Sequence, residues 1–218
     1  MSYQLPVLKH LLATHNWQLA TVNMKKVGIT GGIGSGKSTI CQLFELLGIP
    51  IYYADDRAKA LIIENETLKA KLIDTFGEET YLPDGSYNRT YIANIVFSDK
   101  KELEKLNHIV HPAMYQDGLD WHNAQESVPY TLKEAAILFE SKGHLQMDKT
   151  ILVVAPEDIR IERVLKRDNT TVAAVKARID KQLPDAEKIK LADYIILNDG
   201  NAPLVPQVLK IHDKLSGL

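Results

Sequence analysis

Five short apolar runs punctuate the chain, at residues 27–30, 49–53, 130–139, 151–155 and 194–197. Their brevity and lack of a polar face predict buried strands, while the stretches between them show the apolar spacing of amphipathic helices. Strand and helix in alternation predict an α/β protein: a parallel sheet, helices on both faces, and ligands gathered at the carboxyl ends of the strands. This rhythm is interrupted twice. Between the second and third runs lies a long, charge-rich helical stretch with a turn signal at Pro83-Asp84-Gly85, far more than a crossover needs, so an inserted helical subdomain is expected there. The second interruption, residues 160–190, carries nine Lys and Arg against five Asp and Glu.

That segment changes the meaning of the overall charge. The 218 residues hold 26 basic and 28 acidic side chains, a net of −2, so no general attraction to nucleic acid or to an anionic membrane is indicated. The net of +4 in residues 160–190 leaves −6 elsewhere, so any anion site is local. A single thiol, Cys41, excludes an internal disulfide and points to a reducing, cytoplasmic setting, in which the sequons at Asn65, Asn88 and Asn169 are coincidental. No stretch approaches the ~18 apolar residues of a membrane span. Residues 1–23 lack the features of a secretory signal and are expected to be an N-terminal extension ahead of a second start at Met24.

The chemistry begins after the first strand. Gly31-Gly32-Ile33-Gly34-Ser35-Gly36-Lys37-Ser38 satisfies G-x-x-x-x-G-K-[ST] and runs into a helix predicted over residues 39–47. Glycines let such a loop turn its N–H groups inward around phosphate oxygens, and the helix N-terminus adds partial positive charge. The expected nucleoside triphosphate contacts are Gly32, Ile33, Gly34, Ser35, Gly36, Lys37, Ser38 and Thr39, with Lys37 on the β- and γ-phosphates and the Ser38 hydroxyl on Mg²⁺.

Other classes of phosphate-loop protein fit poorly. No N-K-x-D is present to read guanine, and Asp74-Thr75-Phe76-Gly77 lies in a helical pattern rather than after a strand. The run at 151–154 ends in Ala155-Pro156, so no acid follows it as in motor ATPases. A helical insertion and a basic segment suit a small-molecule kinase, which must hold an acceptor and exclude water. Arg160, Arg163 and Arg167 share one helical face and are expected to close on the transferred phosphate as a lid.

Several motifs together resemble the dephospho-coenzyme A kinase family. They run collinearly from Lys25 to the C-terminus. Gly28-Ile29-Thr30-Gly31-Gly32-Ile33-Gly34-Ser35-Gly36-Lys37-Ser38-Thr39 is close to that family's phosphate loop, and Tyr53-Ala54-Asp55-Asp56-Arg57-Ala58-Lys59 resembles its D-A-D-x-x-A-R, with Tyr53 for the first Asp and Lys59 for Arg. Asp84-Gly85-Ser86-Tyr87-Asn88-Arg89 is similar to D-G-x-x-D-R, His111-Pro112 to its H-P, and Ala136-Ile137-Leu138-Phe139-Glu140 to P-L-L-F-E. Arg160 to Arg167 and Arg178 to Gln182 resemble the lid motifs Q-x-x-R-L-x-x-R and R-I-x-x-Q, and Ala192 to Gly200 matches A-D-x-x-I-x-N-x-G.

The resemblance implies a nucleoside-monophosphate-kinase-like three-layer P-loop fold. Its core would be residues 24–60, 126–159 and 191–218, its acceptor insertion 61–125 and its lid 160–190. It further implies ATP with Mg²⁺, and dephospho-CoA as the acceptor, phosphorylated on its 3′-hydroxyl. Asp55 would orient that hydroxyl or take its proton, while Lys37, Arg163 and Arg167 would neutralise phosphate charge. Asp55, Lys59, Arg89, His111, Phe139 and Glu140 would contact the acceptor, and Asn198 and Gly200 the adenine. No nucleic-acid or membrane partner is implied; oligomeric state stays open, a monomer being compatible.

Overall fold

A continuous apolar run makes Lys25–Gly31 a strand whose last five residues are buried, and the computed structural model, which describes residues 24–218, builds the sheet around it. The expected extension, residues 1–23, lies outside the described residues. In chain order the elements are β1 (Lys25–Gly31), α1 (Lys37–Leu46), β2 (Ile51–Tyr53), α2 (Ala54–Glu64), α3 (Glu66–Phe76), α4 (Arg89–Val96) and α5 (Lys100–Asn123). They continue with β3 (Tyr130–Glu134), β4 (Lys149–Val154), α6 (Glu157–Arg167), α7 (Val172–Ile179), α8 (Asp185–Leu191), β5 (Tyr194–Leu197) and α9 (Leu204–Ser216). Among the described residues no helix is long and apolar enough to cross a membrane.

The chain divides into two compact units. One holds the described chain from residue 24 to Tyr52 together with Gln125–Leu218; the other is Tyr53–Ala124, so the helix bearing Asp55 belongs to the inserted unit. In the first unit the sheet order is β2-β3-β1-β4-β5, with β1 parallel to both β3 and β4, and β4 parallel to β5. The α/β architecture with a parallel sheet is therefore observed.

One strand is shorter than its apolar run. Residues 130–139 were expected to form a single strand, yet the ladder stops at Glu134, opposite Ile29, and the Ala135 N–H makes a last bond to the Ile29 carbonyl at 3.1 Å. The remaining apolar residues turn back over the sheet. Leu138 lies against Gly28, where a Cβ would stand 2.6 Å from Leu138 Cδ2, so the third run splits into a strand and its own cover.

On the far side of β1, Asp193 fastens β5 to β4. Its carboxylate accepts from Lys149 Nζ and from the backbone and hydroxyl of Thr150 at 2.8–2.9 Å. Burial alone would raise this carboxyl, but those hydrogen bonds outweigh it and hold the pKa below the usual carboxylate value. At the outer edge, Gln207 of α9 accepts from the Leu197 N–H at 2.9 Å and donates to the Leu197 carbonyl at 3.0 Å.

The inserted unit is all helical but for a bridge between Tyr81 and Tyr87. Its own core gathers Leu61, Leu68, Leu72, Phe76, Ile92, Val96 and Val110. Two of the sequon asparagines have a structural reason to be there. Asn65 accepts from Leu68 N–H at 2.9 Å and Asn88 from Tyr91 N–H at 3.1 Å, each capping the helix that follows. Asn in place of the resembled family's Asp thus preserves the cap at residue 88.

Candidate active site

The phosphate loop joins the carboxyl end of β1 to α1, where parallel-sheet proteins collect ligands. Gly34 and Gly36 take φ of 77° and 87°, left-handed values that side chains rarely adopt, so the loop's turn depends on glycine at both positions. Ser38 and Thr39 lie exposed in the first turn of α1, and the Lys37 side chain is held by Glu134, with Nζ 2.6 Å from Oε1. Glu134 was not foreseen. It ends β3, directly beside β1, and so supplies next to the loop the acid that the 151–155 run lacks. Its only sequence signal was the Lys133-Glu134 pair of charges inside a mainly apolar run.

One turn beyond Lys37, Cys41 is fully buried. Burial, then the Glu134 carboxylate, push its thiol up to about 12, partly opposed by Lys37.

The shared face of Arg160, Arg163 and Arg167 is real, but it does not form one open arginine cluster. Arg160 and Val164, one helical turn apart at i and i+4, form the buried side of α6. There the Arg160 Nε donates to the Ile33 carbonyl at 2.9 Å and its Nη1 to Asp185 at 3.0 Å. Arg163 donates to the Asn198 backbone carbonyl and to Asn198 Oδ1, both at 3.1 Å. Asn198 is itself buried and donates from Nδ2 to the Ser35 carbonyl at 2.8 Å, beside Gly36, where a Cβ would stand 2.2 Å from Nδ2. Arg167 is exposed and forks onto Asp168 at 2.8 and 3.0 Å. Gly200, at φ 87°, follows in the turn after β5.

Three expected contacts read differently once placed. Phe139 is buried and tilts against the His144 ring at 5.1 Å, so it packs the chain that folds over the sheet. Glu140 accepts from the Leu183 N–H at 3.0 Å, an internal tie. Ile33 gives its N–H to Gln182 Oε1 at 2.9 Å, so that N–H is engaged by protein, whereas the exposed Ser38 and Thr39 are not enclosed.

In the inserted unit the candidates are all at the surface. Asp55 is exposed in the first turn of α2. Lys59 pairs with Asp56 at 2.7 Å, Arg89 opens α4, and His111 is exposed on α5 beside Pro112. Among the described residues there is no cluster of His, Cys, Asp and Glu that would hold a metal by itself.

Comparison with known proteins gives the family. A family model described as Dephospho-CoA kinase matches residues 25–203. The chain is 41% identical to a dephospho-CoA kinase of Salinibacter ruber, covering 81% of this chain and 90% of that protein. It is 36% identical to one of Bacteroides fragilis, covering 85% and 90%. Among solved structures, a Thermus thermophilus protein superposes with a TM-score of 0.76 at 32% identity, covering 86% of this chain and 95% of that one. A dephospho-CoA kinase from Campylobacter jejuni does so with a TM-score of 0.65 at 26% identity, covering 88% and 97%.

Proposed function

The chain belongs to the dephospho-CoA kinase family, and from that premise we propose that it transfers the γ-phosphoryl group of ATP to the 3′-hydroxyl of dephospho-CoA, giving CoA and ADP in the last step of CoA synthesis. The observation that carries this reading is the glycine-built phosphate loop, with Lys37 at the start of α1 paired to Glu134 at the end of β3, the strand beside β1. Phosphoryl transfer asks little covalent chemistry of a protein; it needs positioning and compensation of charge. The loop N–H groups and Lys37 serve the β- and γ-phosphates, and Thr39 the α-phosphate. Arg163, anchored by Asn198, presents its cation beside Ser35, and Arg167 can exchange Asp168 for a phosphate at little cost because that pair is exposed.

The donors suit Mg²⁺, which prefers oxygen ligands. The exposed Ser38 hydroxyl would hold it, with the Glu134 carboxylate available nearby once phosphate replaces it on Lys37. Bound there, the ion supplies neutralisation of the charge on the transferring group.

Asp55 is the group we assign to the acceptor hydroxyl, which it orients and relieves of its proton; its exposure at the start of α2 supports that role. Arg89, His111 and Lys59 are the proposed contacts to the anionic acceptor. The test is ADP release with dephospho-CoA, AMP, CMP, shikimate or no acceptor. Release with dephospho-CoA alone is expected. Release only with AMP or CMP would assign a different kinase reaction, and ATP binding without acceptor-dependent release would mark a regulatory module.

A further inference from the structure

Both polar ends of the Ile33 residue are taken by side chains from far along the chain: its N–H by Gln182 at 2.9 Å and its carbonyl by Arg160 at 2.9 Å. Arg160 in turn does not stand alone. Its Nη1 meets Asp185 at 3.0 Å, Asp185 accepts from Lys188 Nζ at 3.3 Å, and Lys188 lies 3.8 Å from Glu140 Oε1. Arg160 and Lys188 are 5% and 1% exposed, so two cations are buried with two carboxylates in strict alternation, a neutral row ending on the phosphate loop. Buried charges persist only when paired and hydrogen-bonded, and removing one member leaves its neighbours uncompensated.

We infer that Gln182 and the row Arg160, Asp185, Lys188 and Glu140 are positioning residues for ATP, acting through the backbone of Ile33. This rests on the phosphate loop being the ATP site. Ile33 immediately precedes Gly34, whose left-handed φ of 77° directs the N–H groups that follow. Gripping the N–H and carbonyl of one residue from opposite sides removes the backbone freedom that would let those groups point elsewhere, so the loop meets phosphate already arranged. An amide is a fitting acceptor at residue 182, because a carboxylate there would add negative charge beside the loop that receives the phosphates. The segment 160–190 thereby divides by task. Its two ends grip the loop, and the exposed Arg167 and α7 between them remain for closure over the nucleotide.

The inference is tested on the full chain by titrating Mg·ATP onto the wild type, Gln182→Met, Asp185→Ala, Asp185→Asn and the double variant Gln182→Met/Asp185→Ala. KM for dephospho-CoA and the thermal midpoint are measured alongside. Gln182→Met and Asp185→Ala should each raise the Kd for ATP about five- to tenfold, the effect of one lost hydrogen bond, with the acceptor KM held within about twofold. Asp185→Asn, which still accepts from Arg160, should recover most of the affinity. The double variant should lose less than the product of the singles, since both act on one residue. An ATP Kd within about twofold of wild type in Gln182→Met would overturn the inference, as would an equal rise in both substrate constants. Gln182 is partly exposed, so that variant decides the matter even if Asp185→Ala does not fold. Failure of the wild type itself to bind ATP would instead overturn the assignment of the loop.

Discussion

The two units use charged residues in opposite ways. Around the phosphate loop, Arg160, Lys188, Glu134 and Asn198 are buried and hydrogen-bonded or ion-paired, whereas in the inserted unit Asp55, Lys59, Arg89 and His111 stand at the surface. A loop that must present many backbone N–H groups to one anion gains from rigidity, so its neighbours fix main chain. The surface groups are left for a larger ligand of mixed chemistry. A motif residue can therefore matter by touching the ligand or by holding what touches it, and burial separates the two.

The sharpest way to break this comparison is at Lys37, the one cation of the loop itself. Lys37→Met should lower kcat by about a thousandfold or more in steady-state assays, and because it leaves the buried Glu134 carboxylate without its cation it should also lower the thermal midpoint in a melting curve. A small loss would place the charge compensation elsewhere. Asp55→Asn should come next: transfer reduced about a hundredfold or more, with ATP affinity retained by titration. Near-normal turnover would remove Asp55 from the reaction and leave the exposed set without its central member.

Stability probes sharpen the same contrast. Leu72 is fully buried in the inserted unit's own core, and Leu72→Ala should cost about 2–5 kcal/mol in denaturant unfolding. Because that core is separate, ATP binding in native buffer should survive. In the first unit, the Cys41 thiol is held at about 12 against an ordinary 9.0, so the folded chain keeps a proton that the unfolded chain releases first. Its contribution is complete below pH 9.0 and fades as pH rises toward 12, and Cys41→Ala should flatten stability over that window relative to wild type. The smallest effect is expected at Asn88→Asp, within about 0.5 kcal/mol, because both residues cap a helix equally well.

The sheet, the phosphate loop and the helical insertion were legible because each leaves a local signature: a short apolar run, a fixed glycine spacing, an over-long connection. Three things were not. The 130–139 run carries no turn residue to mark its break after Glu134, and the missing Cβ of Gly28 makes room for Leu138 to fold back over β1. Glu134 was hidden inside that same run, its role set by the pairing of β3 beside β1 rather than by any neighbour in sequence. Gln182 and Arg160 could be recognised as motif residues, but their shared target at Ile33 lies more than a hundred positions away. Periodicity correctly grouped Arg160 with Arg163 and Arg167, yet it cannot tell a face turned to a ligand from one turned to the protein.

The Gln207 carboxamide at the outer strand carries a consequence for the molecule among its copies. Ile195 and Leu197 are 43% and 41% exposed on β5, and an apolar border strand with free main-chain groups is a ready template for pairing with another chain. By donating to and accepting from Leu197, one side chain imitates the rung that an added strand would form. A newcomer must first displace it, so the carboxamide guards this edge against strand-by-strand pairing.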